Sequence, residues 1–149
     1  MTGHDYMMEP RRIELRIRRV CMRIEELEGA LLPKAIRYDR DKVQTSPEDQ
    51  LSRVVARILE LEKQRDQLCR ERALLLLEMQ DLVDRLENEL ERTVLEAYYL
   101  SRMRMADIAD MIPCSIQHVY RLRKRGLQHI MEEVLRKEEK KEKNEFDMI

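Results

Sequence analysis

The sequence is poor in the residues that β-structure and phosphate-binding loops need. Only 4% of its 149 residues are aromatic, with no Trp and one Phe, and it contains 3 Gly and 4 Pro. So few strand and turn formers argue against a β-sandwich or a barrel. So few glycines leave no glycine-rich loop to cradle phosphates. Because no scaffold converges a set of catalytic side chains either, we do not expect an enzyme.

Cysteines and long apolar runs are also scarce. Cys21, Cys69 and Cys114 form no CxxC pair, which argues against a disulfide framework and fits a reducing compartment. His118 and His129 follow Cys114 at helical spacings, but a tetrahedral metal site wants four ligands. We therefore expect no metal and no cofactor. No stretch reaches the roughly 18–20 apolar residues of a membrane span, and no signal-peptide core is present, which predicts a soluble cytoplasmic protein.

What the chain has in abundance is charge and helix formers. Charged residues make up 40% of the sequence, and Glu, Arg, Leu, Lys and Met, which favour helices, dominate it. A first helical block is predicted from about Pro10 to Leu32, with an apolar seam in alternating steps of four and three, so Pro10 is expected in the first turn. The seam consists of Ile13, Ile17, Val20, Ile24, Leu27 and Leu31. Six arginines between positions 11 and 23 are expected to form a solvated face, with a nucleic-acid or RNA polymerase contact as the alternative.

A second long helix is predicted over residues 47–87. Its leading seam is spaced strictly by seven residues and consists of Val54, Leu61, Leu68, Leu75 and Leu82. Pro47 fits the first helical position and Ser46 the N-cap, while residues 33–46 break the period and are interpreted as a linker. A rod this long cannot bury its seam alone. We expect residues 10–87 either to pair within one chain or to form a homo-oligomer.

Residues 88–130 follow a different pattern, which indicates a helix-turn-helix. Two helices that cross steeply need a small residue where they touch, and Ala109 supplies it. The apolar positions that such a pair buries are occupied by Ile108, Ile112, Cys114, Val119 and Leu122. Ser115 suits the N-cap of the second helix. Cover is expected from the preceding helix, through Val94, Leu95, Tyr98 and Tyr99. The turn carries Pro113 where a glycine with positive φ is usual, so it must be built differently.

Positive charge concentrates in the same region. Between Tyr98 and Ile130, six basic and two acidic residues give a net charge of +4, in a chain of net charge −1. Phosphate neutralisation supplies much of the affinity for DNA. Gln117 is expected to read adenine and Arg121 guanine, with Lys124 and Arg125 on the backbone. The expected DNA-binding residues are Ser115, Ile116, Gln117, His118, Tyr120, Arg121, Lys124 and Arg125.

The stretch ERTVLEAYYLSRMRMADIADMIPCSIQHVYRLRKRGLQHI, residues 91–130, resembles region 4 of bacterial sigma factors, which reads a promoter element through a helix-turn-helix. With the upstream LLPKAIRYDRDKVQTSPEDQ and the long charged helix, the chain resembles the ArpU- and RinA-like late-gene transcription regulators of phages and prophages. YYL, DIA, HVYRL and KVQTSP carry the resemblance, which covers residues 30–130. It implies a role in the bacterial host cytoplasm, bacterial RNA polymerase as a partner, and base contacts from Ile116, Gln117, Tyr120 and Arg121.

The sequence thus predicts an all-α protein in which long coiled-coil-like helices precede a C-terminal three-helix, sigma region 4-like helix-turn-helix domain. The expected segments are an N-terminal helix (1–32), a linker (33–46), a long helix (47–87), a DNA-binding domain (88–130) and a charged tail (131–149), which is expected to be a fraying helix end or disordered. The expected function is transcription regulation by sequence-specific binding to double-stranded DNA. A small-terminase-like DNA-packaging subunit, which would form a ring, and a coiled-coil adaptor without DNA binding are the alternatives.

Overall fold

All regular structure in the part of the chain that the structure describes is helical. The structure is a computed structural model and describes residues 1–32 and 47–149. Its helices are α1 (Gly3–Ala30), α2 (Pro47–Asp84), α3 (Glu89–Leu95), α4 (Met105–Met111) and α5 (Ile116–Asp147), and α3 runs directly into a π-helical segment, Glu96–Leu100. The predicted all-α class is confirmed. The predicted linker and the Ser46 cap lie outside the described residues.

The first helix begins earlier than expected. α1 starts at Gly3, where Asp5 N–H donates to Thr2 Oγ1 at 3.1 Å and Thr2 N–H donates to the Asp5 carboxylate at 3.2 Å. This reciprocal capping box satisfies two donors that a helix start otherwise leaves open. The placement of Pro10 in the first turn is therefore wrong, because Pro10 lies inside α1. Having no N–H, Pro10 leaves the carbonyl of Tyr6 without its usual helical donor.

The charged C-terminal segment does not fray in the structure. α5 continues without a break to Asp147, so the predicted end of ordered helix near residue 130 is wrong. Ile130 is fully buried in the core, and Val134, four residues later, packs against the same cluster. The remaining turns consist almost entirely of Glu, Lys and Arg, which favour helix and form pairs such as Arg136–Glu133 at 3.0 Å.

None of the helices in the two described ranges is both long and apolar enough to cross a lipid bilayer. The chain divides into two compact units. The two-helix unit comprises Arg11–Ala73, and the larger unit comprises Met1–Pro10 together with Leu74–Ile149. Each unit has its own apolar core.

In the two-helix unit, the predicted seams of α1 and α2 pack on each other within one chain. Val20, Ile24, Ile58 and Leu61 are buried, with Leu27, Leu31, Val54 and Leu68 packed around them. Arg65 and Arg72 follow the buried Ile58 at successive steps of seven residues, so they occupy seam positions of α2, and both are directed to carboxylates. Arg65 pairs with Asp66 at 3.3 Å, and Arg72 approaches Glu14 at 4.0 Å. Two seam positions are thus used for charge pairing instead of apolar contact.

The larger unit holds two apolar clusters. The first buries Met7, Met79, Leu82, Val83, Leu86, Leu95, Tyr99 and Ile130. The second buries Val94, Ala97, Ile108, Ala109, Val119 and Leu122. Helix α3 contributes to both, since neighbouring residues Val94 and Leu95 face different clusters. A polar contact also joins α3 to α5, because a carboxylate oxygen of the buried Glu91 lies 2.7 Å from Nδ1 of the half-exposed His129.

Two helical glycines give a matched test of this packing. A Cβ on Gly126, buried in α5, would lie 2.9 Å from Cδ1 of the fully buried Leu95. A Cβ on Gly29 of α1 would meet nothing within 4 Å.

Alanine favours helix by about 1 kcal/mol over glycine, whereas overpacking a core costs about 1–3 kcal/mol. We expect Gly126→Ala to lower the free energy of unfolding by up to about 2 kcal/mol and Gly29→Ala to leave it unchanged or raise it. Urea denaturation followed by circular dichroism measures both, and a stabilised Gly126→Ala variant would contradict the described contact.

Candidate nucleic-acid interface

Helices α4 and α5 are joined through a shared apolar core. Ile108 and Val119 are fully buried, Ala109 is 6% exposed and Leu122 is 3% exposed. Ile112 and Cys114 are partly buried against the same cluster. All six residues expected to hold the two helices together therefore meet in one cluster. Because residues three apart share a helix face, burial of Val119 and Leu122 turns the opposite face of α5 outward.

The connection between the two helices contains Pro113 and is built without positive φ. Ile112 N–H donates to Ile108 O at 3.0 Å, and Cys114 N–H donates to Ala109 O at 3.1 Å, closing the end of α4. Among the described residues, the one positive φ belongs to Arg102, at 57° after the π-helical segment. The prediction that a turn with Pro113 needs another construction is confirmed, since backbone bonds to α4 replace the glycine.

The N-cap residues of α4 and α5 both have an extended backbone, but only that of α5 caps its helix with its side chain. Ser115 is the N-cap of α5, and its hydroxyl accepts a hydrogen bond from His118 N–H at 3.2 Å, as the sequence predicted. Arg104 is the N-cap of α4 and offers no side-chain cap. Its guanidinium pairs with Asp107 in the first turn at 3.1 Å. The hydrogen bond to that carboxylate raises the pKa of Arg104.

The residues expected to contact DNA lie together on the first three turns of α5. His118 is half-buried, and the other seven have exposed side chains. The exposed residues are Ser115, Ile116, Gln117, Tyr120, Arg121, Lys124 and Arg125. Two of them are large and apolar, Ile116 at 45% and Tyr120 at 48% exposure. The Ser115 hydroxyl is already engaged at the cap. The other side chains remain available to a ligand.

Three cations of this surface have no ion-pair partner in the described part of the chain, since no carboxylate there pairs with Arg121, Lys124 or Arg125. Asp107, one of the two acids nearby, is occupied by Arg104. An exposed, uncompensated cluster of cations on a helix favours polyanionic ligands.

Arg123 has a role that the sequence reasoning missed. Its guanidinium carbon lies 5.0 Å from the ring centroid of Tyr98 and 5.2 Å from that of Tyr120. Cation–π attraction on both sides restricts the Arg123 side chain and the ring of Tyr120. Tyr98 is itself held edge-on to Tyr99, whose hydroxyl lies 2.7 Å from His4 Nδ1. The contact between Arg123 and Tyr120 could have been predicted from their i, i+3 spacing on one helix. The contact between Arg123 and Tyr98 is tertiary and has no such local signal.

The expected cover from the preceding helix is only half right. Val94 and Tyr98 pack on the cluster that joins α4 and α5, whereas Leu95 and Tyr99 belong to the other cluster. Residues four apart share one helix face, so Val94 with Tyr98 and Leu95 with Tyr99 form two neighbouring faces that pack on different clusters. Within the described residues, no group of three or more His, Cys, Asp or Glu has a geometry suited to a metal ion.

One family model matches the chain. The family is described as a protein of unknown function (DUF1492), and the match covers residues 34–131. This range includes α3, α4 and the first half of α5, with every residue of the surface just described. No curated protein and no solved structure matches the chain.

The cap at Ser115 gives a test of how α5 begins. Ser115→Ala removes the acceptor of the His118 N–H and is expected to lower the free energy of unfolding by about 1 kcal/mol. Ser52→Ala, at an exposed position inside α2, is the matched control and should be neutral or slightly stabilising. Thermal or urea unfolding compares the two variants, and equal effects would contradict the capping role.

Proposed function

We propose that this chain, which belongs to the DUF1492 family, binds double-stranded DNA as a transcription regulator. The family model spans the whole exposed cationic face of α5. In this proposal α4 and α5 form a helix-turn-helix in which α5 is the recognition helix. The observation that carries it is the face of α5 that the shared core turns outward. That face combines hydrogen-bonding, apolar and cationic side chains without carboxylate partners.

The chemistry of this face suits a major groove. An α-helix fits the groove, where glutamine pairs with adenine and arginine with guanine, each through two hydrogen bonds. Gln117 and Arg121 are four residues apart and so share one side of α5. Ile116 and Tyr120 offer apolar contact to thymine methyl groups beside them. Lys124 and Arg125, one turn later, are placed for phosphates, which set affinity and orientation.

The resemblance to sigma region 4 and to phage late-gene regulators points the proposal toward transcription. The residues that carry it, in YYL, DIA and HVYRL, lie within the matched family range. Under this proposal the protein acts on a promoter in a bacterial host cell. Bacterial RNA polymerase is a proposed partner, and residues 10–87 are the proposed site of self-association.

Replacing Arg121 tests base reading. Arg121→Ala is expected to cost about 1–3 kcal/mol of binding to a selected DNA site and to relax discrimination at one base pair. The site is first obtained by selecting bound fragments from the source genome. Arg136→Ala, also on α5 but paired with Glu133, is the control and should bind as the parent does. Unchanged affinity of Arg121→Ala in a gel-shift titration would count against α5 as the reading helix.

Replacing Lys124 tests the phosphate contact separately. Lys124→Ala is expected to weaken binding to all duplexes by a similar factor and to reduce the slope of log K against log salt by about one. Titrations at several salt concentrations on the selected site and on an unrelated duplex provide the measurement. A loss confined to the selected site would contradict a backbone role.

Light scattering of the full chain tests the assembly. A transcription regulator of this kind is expected as a monomer or a low oligomer. A ring of many subunits would instead favour a DNA-packaging protein of the small-terminase type, and the regulatory proposal would be given up.

A further inference from the structure

A groove in the two-helix unit is lined by three arginines from one face of α1. Arg16, Arg19 and Arg23 stand on one side, Gln64 of α2 on the other, and Val20 and Leu68 form the floor. Its volume is 320 Å³. The three arginines follow one another at steps of three and four residues, so they form a row about 10 Å long at 1.5 Å per residue. We call this feature the arginine groove.

Among residues 1–32 and 47–149, no carboxylate forms an ion pair with Arg16, Arg19 or Arg23, and all three side chains are exposed. For Arg16 and Arg19 the sequence explains this, because neither has a carboxylate three or four residues away on α1, whereas Arg23 has Glu26 three residues later and does not pair with it. Other arginines of the same unit do find carboxylates: Arg18 pairs with Glu14, Arg57 with Glu60 and Arg65 with Asp66.

We propose that the arginine groove binds the phosphodiester backbone of a nucleic acid. A row of guanidinium groups matches a linear polyanion, and each guanidinium can hold a phosphate through two hydrogen bonds. Duplex DNA presents one charge for every ~1.7 Å of axis, so it meets such a row in many registers. The proposal is independent of the function proposed for α5, since it concerns residues of the other unit only.

The lining of the groove favours phosphates over an acidic segment of a protein. Protein interfaces are anchored by apolar or aromatic side chains that enter pockets. Here the floor offers little for such an anchor, because Val20 is 5% exposed and Leu68 is already packed in the core of the unit. The polar groups that line the groove are the guanidinium groups of the three arginines and the amide of Gln64. These groups donate hydrogen bonds and favour a ligand that offers anionic oxygens.

The test compares two triple variants of the full chain that lose the same charge from the same unit. The groove variant is Arg16→Gln, Arg19→Gln and Arg23→Gln. The control variant is Arg18→Gln, Arg57→Gln and Arg65→Gln, which removes three arginines that already have carboxylate partners. Fluorescence anisotropy measures binding to a mixed-sequence duplex and to a single-stranded DNA at several salt concentrations. Binding to polyglutamate is measured in the same way, because polyglutamate is a polyanion that carries no phosphates.

The groove variant is expected to lose about two to three from the slope of log K against log salt, since each phosphate contact contributes about 0.9 on a duplex. Its Kd at about 0.1 M salt should rise by a factor on the order of 100. The control variant should lose less than about one. A loss on single-stranded DNA alone would assign the backbone to that strand form and still support the proposal.

Three results would overturn the proposal: no change in slope for the groove variant, an equal change in both triple variants, or parent binding to polyglutamate as tight as to DNA. The last result would indicate an acidic protein partner. Thermal unfolding checks that both triple variants fold. If the groove variant does not fold, Arg19→Gln alone is measured in its place, and its slope is expected to change by about one. Arg121→Ala measured in parallel separates the outcomes, because its failure concerns α5 and leaves the arginine groove untouched.

Discussion

The orientation of α5 is set by a small apolar cluster in which Ala109 brings α4 close to Val119 and Leu122. Ile108 and Val119 have no exposed surface, so α5 cannot rotate without opening this cluster. Burying such side chains contributes about 1.5–3 kcal/mol each, which is large against the net stability of a domain. The outward direction of Gln117 and Arg121 follows from this packing, and the proposed reading of DNA rests on that direction.

A second constraint, the placement of carboxylates, determines where the charge of the protein is available to a ligand. The chain is nearly neutral, with 29 basic and 30 acidic residues, so net charge says little about a partner. Arg18 and Arg57 each have a carboxylate three or four residues away and form pairs of small energy with it. Arg16 and Arg19 of the arginine groove and Arg121 of α5 have no such neighbour, and they form no ion pair among the described residues.

Local sequence patterns located much of the proposed site. The spacing of apolar residues around Ala109 identified all six members of the cluster that joins α4 and α5, and Ser115 was identified as the cap. Local patterns also contained a signal that was overlooked, the Thr2–Asp5 capping box that starts α1 seven residues before Pro10. The charged stretch after residue 130 was interpreted as a fraying tail because its own composition lacks large apolar residues. Its helix continues because Ile130 and Val134 hold its beginning to the core.

Periodicity, caps and charge spacing are properties of neighbours in the chain, and they were sufficient for the all-α class, for the buried face of α5 and for the unpaired cations. The contacts that join distant residues came from the folded chain alone. Glu91 and His129 are 38 positions apart, and His4 and Tyr99 are 95 apart. The division of Val94 and Leu95 between two cores, and the stacking of Arg123 on Tyr98, likewise need the packed helices. No one-dimensional pattern encodes such pairings, because they arise only when separate helices bury their apolar faces against one another.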